Sequence, residues 1–301
     1  MKVNKKIKKG ILFALLTAFI SGVSIFYNKL VIVKGIDPLS FNIIKNGGVA
    51  VILSVVILRT LFTGKKKIIQ KQEWSKLILI GIVGGSLPFI LFFTGLKDVA
   101  AANANLIHKL LFIFVALMAI PFLKEKLHPL QIIGYLFIVY ACFFIGGFAP
   151  FSFSIYEGMI LLATMLWGVE NIIAKVALRK TNSSLVAWGR MFFGTIVLIF
   201  TAILTGKIHF LFNLQANQVL PILGSIALLT LYVSSWYKAL SLAPATLVTS
   251  ILVLATPITN ILSAAFITHN FGLTLTFNTT TILLGILLIN FGWLWRKKIA
   301  V

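Results

Sequence analysis

Glu170 is the residue with the clearest chemical potential in this chain, because it is the one acid that falls deep inside a long apolar segment. A carboxylate removed from water can exchange a proton near neutral pH or bind an amine. Trp167 lies three residues earlier on the same helical face, where its ring either stacks on a bound molecule or serves in packing or at the membrane interface. The structural alternative is an ion pair of Glu170 with Lys109, Lys175 or Arg190.

A second group of polar residues falls near the middle of another apolar segment. Asn105, His108 and Lys109 share one face by the three- and four-residue spacing of a helix. A lysine at that depth cannot extend its ammonium group to the membrane surface. Lys109 is therefore expected to bind a substrate carboxylate or to pair with Glu170. The alternative is that His108 and Lys109 bond backbone carbonyls of neighbouring helices.

Four further residues are candidates for the wall of a binding cavity. Tyr232 and Trp236 are one helical turn apart and supply aromatic surface. Arg190 falls near the start of its apolar segment and is always charged, so it faces either an aqueous vestibule or Glu170. Ser24 lies 146 residues before Glu170, the distance that separates other matching stretches of the chain. The alternative role for its hydroxyl is close helix packing.

The sequence offers no pattern for metal or covalent chemistry. Its one cysteine, Cys142, excludes an intramolecular disulfide and a cysteine-based metal cage. Six acidic residues in 301 are too few for a carboxylate-rich metal centre, and the sequence has no His-Glu-x-x-His, Gly-x-Ser-x-Gly or Walker motif. We therefore expect no catalytic residue, no metal site and no cofactor.

The elements that carry these residues are apolar segments of membrane-spanning length. Hydrophobic residues make up 59% of the chain and charged residues 11%, far from the proportions of soluble proteins. A helix crosses the hydrocarbon core of a bilayer in about 20 residues. The sequence therefore predicts an all-α polytopic membrane protein with ten transmembrane helices. Their predicted bounds are 10–32, 38–59, 77–96, 99–121, 129–148, 157–177, 184–205, 217–240, 244–267 and 278–295.

The positions of lysine and arginine predict the orientation of these spans. With the N terminus inside, 18 of the 27 basic residues fall in inner segments and three fall in outer ones. An excess of positive charge marks the cytoplasmic side of a membrane protein. Both termini are thus predicted to be cytoplasmic, in the plasma membrane. The net charge of +21 reflects this topology and does not indicate binding to nucleic acid.

Comparison of the chain with itself reveals a weak internal repeat. The matches are residues 21–29 with 167–175, Lys45 with Arg190, and Leu96 with Leu240, at offsets of 146, 145 and 144 residues. The steady offset predicts two units, 1–150 and 151–301, with five spans each. An odd number of spans turns the second unit over in the membrane. Such inverted repeats are common in secondary transporters, which bind substrate near the midplane between the two units.

The two units resemble the EamA-type repeats of the drug/metabolite transporter superfamily. The residues that carry the resemblance are Trp167-Gly168 with Lys175, the small-residue run 100–105, and the stretch 121–127 followed by Gly134. The resemblance covers roughly residues 8–297 and implies ten helices and the export or exchange of small metabolites such as amino acids. The second unit departs from the pattern, because His269 stands where Glu125 would recur and a longer loop precedes Gly285.

The leading hypothesis is a secondary active transporter that exports or exchanges a small metabolite, coupled to protons and embedded in the lipid bilayer. An intramembrane enzyme is the alternative from another class, and it would need a nucleophile or a metal cluster. A non-transporting channel or sensor is the third possibility. The sequence leaves open the substrate, the direction, the coupling ion, and whether the protein is a monomer or a homodimer.

Overall fold

The computed structural model describes residues 5–32, 35–62, 71–96, 98–99, 101–145 and 154–299 of the chain. Helices make up almost all of these ranges. They are α1 (Lys5–Ile32), α2 (Pro38–Phe62), α3 (Lys71–Gly85), α4 (Leu87–Gly95), α5 (Ala101–Lys109), α6 (Leu111–Leu123), α7 (Pro129–Tyr140), α8 (Ile155–Ala177), α9 (Ser183–Leu204), α10 (Ala216–Leu242), α11 (Ala245–Leu252), α12 (Ala255–Ser263) and α13 (Leu273–Ile299).

These thirteen helices build the ten predicted spans, because three spans each consist of two consecutive helices: α3 with α4, α5 with α6, and α11 with α12. Among the described residues, nine helical stretches are long and apolar enough to cross a membrane. The remaining span, the fifth along the chain, is α7. It continues through a wider helical turn over Ala141–Ile145 and is shorter than the other nine. The all-helical fold with ten spans is therefore confirmed.

Proline accounts for two of the interruptions within spans. A residue in a helix normally donates its N–H to the carbonyl four positions earlier, and proline has no N–H to donate. Pro88 therefore leaves the carbonyl of Gly84 without its helical partner at the α3–α4 break. Pro257 does the same to Val253, whose carbonyl accepts from the Thr256 N–H at 2.9 Å instead. The freed Gly84 carbonyl lies at the functional site described below.

The fourth and ninth spans are interrupted at equivalent points of the repeat. The Leu110 N–H donates to the Ile107 carbonyl at 3.1 Å, a tighter turn than the α-helix makes. The Leu254 N–H makes the same kind of bond to Ile251, at 3.0 Å. The two turns are 144 residues apart, which is the offset found in the sequence comparison.

The packing of the helices follows the same relation between the first five and last five spans. The first span packs on the eighth (α1 on α10), and the third packs on the sixth (α3 and α4 on α8). The fourth span packs on the sixth, and the ninth packs correspondingly on the first. The pairs α2–α9 and α7–α13 join spans that are equivalent to each other. This is the pattern that a two-fold relation between two five-span units produces.

Two glycines permit the close approach of α7 and α13. A Cβ atom on Gly134 would lie 2.5 Å from the Gly285 carbonyl oxygen, and one on Gly285 would lie 2.8 Å from the Gly134 oxygen. No side chain fits at either position. Beside this contact, the Asn278 side chain donates to the Ala141 carbonyl at 2.8 Å, where the regular hydrogen bonding of α7 ends. Small residues at such contacts let the backbones of membrane helices meet.

Glu125 and Lys175 fix the junction between α10 and α11. The Glu125 carboxylate accepts from the Ala245 N–H at 2.8 Å and from the Thr246 N–H and hydroxyl at 3.1 and 2.6 Å. The Lys175 ammonium donates to the carbonyls of Leu240 and Ala243. The carboxylate thus meets the positive end of α11, and the ammonium meets the negative end of α10.

This junction explains two of the sequence features. Lys175 is engaged with backbone carbonyls, so it does not serve as the ion-pair partner that the sequence analysis considered for Glu170. His269, which the sequence comparison aligns with Glu125, is exposed and has a left-handed backbone with φ of 51°, which in the first unit is the conformation of Lys124 (φ of 56°). His269 ends the ninth span. The second unit therefore has no carboxylate at this position to accept hydrogen bonds from a helix N terminus, as Glu125 does at α11.

Candidate functional site

A cavity of about 210 Å³ lies inside the bundle, and three charged residues from apolar segments, Lys45, Glu170 and Arg190, line it. Helices of both units contribute to its wall. The lining residues are Ser21, Lys45, Asn46, Phe89, His108, Leu111, Trp167, Glu170, Asn171, Arg190, Met191, Leu229, Tyr232, Val233, Trp236 and Leu252. The engineered cavity of about 150 Å³ that binds benzene gives the scale, so this one accommodates a molecule somewhat larger than a benzene ring.

Many of the lining residues occupy equivalent positions of the two units. The pairs, at offsets of 144 to 146 residues, are Ser21 with Trp167, Lys45 with Arg190, Asn46 with Met191, Phe89 with Val233, and His108 with Leu252. The cavity therefore lies where the two units face each other. The residues within each pair differ in chemistry, so the wall is asymmetric even though its framework repeats.

Glu170 is held in this wall by a hydrogen bond to one of its two carboxylate oxygens. Its side chain is 1% exposed, and the Tyr237 hydroxyl donates to Oε1 at 2.6 Å. The other oxygen, Oε2, is buried and has no hydrogen-bond partner within the described part of the chain. A buried acceptor without a partner costs about 1–3 kcal/mol. The free oxygen is thus the natural position for a proton or for a donor group of a bound molecule.

Tyr237 also connects Glu170 to Arg190. The Arg190 guanidinium donates from Nη1 to the Tyr237 hydroxyl oxygen at 3.4 Å, and that hydroxyl donates onward to the carboxylate. A direct ion pair between Arg190 and Glu170 is not formed among the described contacts. The hydroxyl therefore relays the attraction between the two opposite charges and leaves Oε2 available.

The carbonyl of Gly84 holds the other end of this cluster. It accepts from Arg190 Nη2 at 3.2 Å and from the Trp167 indole nitrogen at 3.1 Å. The Gly84 carbonyl is free to accept both bonds because Pro88, four residues later, has no N–H to donate to it. A Cβ atom on Gly84 would lie 2.2 Å from Glu170 Cγ, so glycine is also the residue that lets α3 approach the acid.

Aromatic rings fix the orientation of the groups around the acid. The His108 and Trp167 rings meet edge to face with their centroids 4.7 Å apart, and Phe89 contacts Trp167 in the same manner at 5.3 Å. On α10, the rings of Tyr232 and Trp236 are nearly parallel, with an interplanar angle of 7° and centroids 6.2 Å apart. These rings give the cavity flat apolar surfaces beside its charged groups.

The structure places most of the residues singled out from the sequence at this cavity. Glu170, Trp167, His108, Arg190, Tyr232 and Trp236 all line it. Ser24 does not line it, since its hydroxyl accepts from Asn28 at 3.2 Å, and Ser21 occupies the wall one turn earlier. The side chain of Asn105 lies outside the described part of the structure.

Lys109 is the largest departure from the sequence analysis. It does not line the cavity, and the described residues include no ion pair between it and Glu170. Successive residues of a helix point about 100° apart, so a cavity-facing His108 directs Lys109 elsewhere. The helix that carries Lys109, α5, packs on the turn Ala141–Ile145 at the end of the fifth span. The expected pairing of Lys109 with Glu170 is therefore not formed in this structure.

Four important residues were missed by the sequence analysis: Tyr237, Gly84, Lys45 and Asn171. Of these, Lys45 had a usable signal, because it aligns with Arg190 in the internal repeat. Asn171 follows Glu170 directly, and its amide donates to the Trp167 carbonyl at 2.8 Å. Gly84 and Tyr237 act through a backbone carbonyl and a contact between distant helices, which no local pattern reveals.

Replacing Tyr237 by phenylalanine is expected to destabilise the protein. The substitution removes the donor to Glu170 Oε1 and the acceptor of Arg190, so two buried charged groups lose a partner. The expected loss in the free energy of unfolding is about 1–3 kcal/mol. Thermal unfolding of the purified protein measures it. Tyr156→Phe is the matched control, because no hydrogen bond of its hydroxyl is among the described contacts; equal melting temperatures for both variants would contradict the relay.

A larger groove, of about 740 Å³, runs along the surface between α7 and α13. Its wall is almost entirely apolar and includes no charged residue among those described. In a membrane-spanning bundle such a surface faces acyl chains. The polar groups needed to orient a substrate lie in the inner cavity, which is therefore the candidate site.

Comparison with known proteins agrees with this architecture. The sequence matches the EamA-like transporter family twice, over residues 8–147 and 154–291. An uncharacterized transporter from Methanothermobacter thermautotrophicus (strain Delta H) is 22% identical over 144 residues, which are 46% of this chain and 42% of that protein. A solved crystal structure shares the fold, with a TM-score of 0.77 at 14% identity, and the superposition covers 94% of this chain and 97% of the other.

The two family matches fall one on each set of five spans, and they leave only short stretches of the sequence uncovered. The relative's name describes a transporter, and the described helices of this chain have membrane-spanning length and composition. The chain belongs to the EamA-like transporter family of the drug/metabolite transporter superfamily and is a multi-pass membrane protein.

Proposed function

We propose that this protein is a proton-coupled secondary active transporter that exports or exchanges a small metabolite, such as an amino acid or a related compound. The observation that carries the proposal is the buried cavity between the two units, which contains an acid with one unpartnered oxygen. Secondary transporters bind substrate at such a position between repeats. The proposed membrane is the plasma membrane, and the transport unit is built from one chain, as a monomer or within a homodimer.

The proposed topology has two inverted units, residues 1–150 and 151–301, with both termini in the cytoplasm. Three observations support it: the offset of 144 to 146 residues, the equivalent turns at Leu110 and Leu254, and the 18-to-three distribution of basic residues. In this arrangement the equivalent spans α2 and α9 cross the membrane in opposite directions and supply Lys45 and Arg190 to the cavity from opposite sides.

In the proposed cycle, Glu170 Oε2 takes a proton or a donor group of the substrate. Either one changes the charge balance of the group formed by Glu170, Tyr237 and Arg190, and this group joins α8, α9 and α10. A ligand shifts a conformational equilibrium only by its different affinity for the two states. The release of one contact in this cluster upon protonation gives such a difference, because Arg190 also donates to the Gly84 carbonyl on α3 and so connects the cluster to the other unit.

An enzymatic function has less support. Among the described residues there is no group of three metal-binding side chains, and the serine of the cavity wall, Ser21, has no hydrogen bond to a histidine, lysine or acid among the described contacts. The residues at the wall hold and orient a molecule and exchange a proton, and none of them is placed for covalent chemistry. The proposal therefore includes no catalytic residue.

Flux into proteoliposomes tests the proposed function. Purified protein is reconstituted, and uptake of radiolabelled amino acids, amines and organic acids is measured with and without an imposed pH gradient. We expect saturable uptake of at least one class, several-fold stimulation by the gradient, and loss of that stimulation with a protonophore. Uptake that does not saturate would favour a channel, and flux that ignores the pH gradient would contradict proton coupling. Protein-free liposomes are the control.

A further inference from the structure

Lys45 is a buried cation in the cavity wall that lacks an acidic partner. Its side chain is 9% exposed, on α2 about two turns from the start of that helix. The described contact of its ammonium group is with the ring of Phe41, 4.7 Å from the centroid. No carboxylate lies within 4.0 Å of the ammonium nitrogen in the part of the chain that the structure describes. A contact with one ring offsets only part of the cost of burying this charge.

The other two charged residues of the wall compensate each other. Arg190 and Glu170 are linked through the Tyr237 hydroxyl, so the positive charge of one compensates the negative charge of the other. Of the three charged residues that line the cavity, Lys45 is the one without an opposite charge linked to it. The interior of the cavity therefore has a net positive charge, which favours a molecule with an anionic group.

The internal repeat explains why Lys45 lacks a partner. Lys45 and Arg190 are equivalent residues of the two units, and Glu170 is equivalent to Ser24. The second unit thus has a cation and an acid, whereas the first has a cation and a hydroxyl. Ser24 bonds Asn28 and does not line the cavity. The first unit consequently presents its cation to the cavity without an internal counter-charge.

The remaining wall suits an apolar body of about the size of one ring. Tyr232 and Trp236 present nearly parallel rings, and Trp167 closes another side of the same cavity. A volume of about 210 Å³ exceeds what a benzene ring needs and leaves room for a short polar group. Aromatic walls with a few convergent polar groups are typical of small-molecule sites.

We propose that Lys45 binds the anionic group of the transported molecule, and that this molecule is a small organic carboxylate with an apolar body of about one ring. An ammonium group on the substrate is not required, because the charge that needs compensation is that of Lys45. This inference rests on the proposed function in one respect: it treats the inner cavity as the site through which substrate passes.

The test compares three molecules that differ only in their charged groups: phenylpropionate, phenylalanine and phenethylamine. Binding to the purified full-length protein is followed by the fluorescence of the cavity residues Trp167 and Trp236. We expect the two carboxylates to bind saturably, and the amine to bind about 10- to 100-fold more weakly, the range that one hydrogen bond to a charged group supplies. Lys45→Gln should weaken both carboxylates by a similar factor, and Lys45→Arg should retain them.

Lys29→Gln is the control variant, because Lys29 is an exposed lysine near the end of α1. Size-exclusion chromatography and thermal unfolding establish that each variant is folded. If Lys45→Gln does not fold, the Lys45→Arg variant still tests whether a cation at this position binds both carboxylates. Tight binding of phenethylamine, unchanged carboxylate binding in a folded Lys45→Gln variant, or no binding of either carboxylate would overturn the assignment.

The same measurements separate this inference from the proposed function. Carboxylate binding that depends on Lys45, without flux in proteoliposomes, would support the anion site and contradict transport. Flux of amines that is independent of Lys45 would support transport and overturn the anion site. Each result therefore contradicts either the anion site at Lys45 or the transport function, and leaves the other claim standing.

Discussion

Replacing Gly84 by alanine is expected to reduce transport by about a hundredfold. The new Cβ atom would lie 2.2 Å from Glu170 Cγ and 2.9 Å from Cδ, far closer than two carbon atoms approach without displacement. The acid must therefore move, and with it the contact to Tyr237. In enzymes, displacing a working group by about 1 Å has an effect of this size. The substitution also strains the contact of α3 with α8, so we expect a loss of about 1–3 kcal/mol in the free energy of unfolding.

Gly158→Ala is the matched control for this prediction. Gly158 lies on α8, the helix of Glu170, and an added Cβ atom there would have no atom within 4 Å. Initial flux rates in proteoliposomes and melting temperatures of the purified variants measure the two effects. Equal flux in the Gly84 and Gly158 variants would contradict the arrangement of α3 against the acid.

The fold was predictable because its signals are strong and local. Ten apolar segments separated by charged or turn-forming residues give ten spans, and the predicted bounds agree with the helices to within a few residues at most ends. Where the sequence predicts one span, the structure often has two helices, as at Pro88 and Pro257. A hydropathy pattern has no information on such breaks, because both halves remain apolar.

The residues of the candidate site that could be predicted are the charged ones, because a charged side chain exposed to lipid costs free energy. Glu170 and Arg190 fall in apolar segments, and charge in such a segment must face the interior of the bundle. Lys109 satisfies the same rule, yet it does not reach the cavity. Its position follows from the local rotation of α5, since His108 takes the direction toward the cavity. Depth in the membrane can be read from the sequence, whereas rotation about the helix axis needs the neighbouring helices.

The residues that support the acid were not predictable from local patterns. Tyr237 adjoins Trp236, a predicted residue, but points to a different partner, and its role arises where α8, α9 and α10 meet. Gly84 contributes a carbonyl, which every residue possesses. Only the combination of Pro88, which frees this carbonyl, with the two donors that reach it makes the position special. Such combinations appear only in the assembled structure.

Glu170→Gln is expected to remove the response to a pH gradient while leaving the fold intact. Glutamine has the shape of glutamate, and its amide oxygen can accept from the Tyr237 hydroxyl. It cannot exchange a proton in the physiological range. We therefore expect flux under an inward pH gradient to fall several-fold, to the rate measured without a gradient. Exchange of labelled for unlabelled substrate, which needs no net proton movement, should continue.

The most direct test of proton coupling through Glu170 is the ratio of flux with a pH gradient to flux without one, measured in the same proteoliposomes. Glu157→Gln is the control, because Glu157 is the third residue of the same helix, where its side chain completes a capping box with Ser154, a role that glutamine also fills. We predict a ratio well above one for the unsubstituted protein and for Glu157→Gln, and a ratio near one for Glu170→Gln. A Glu170→Gln variant that kept the full ratio would contradict the account.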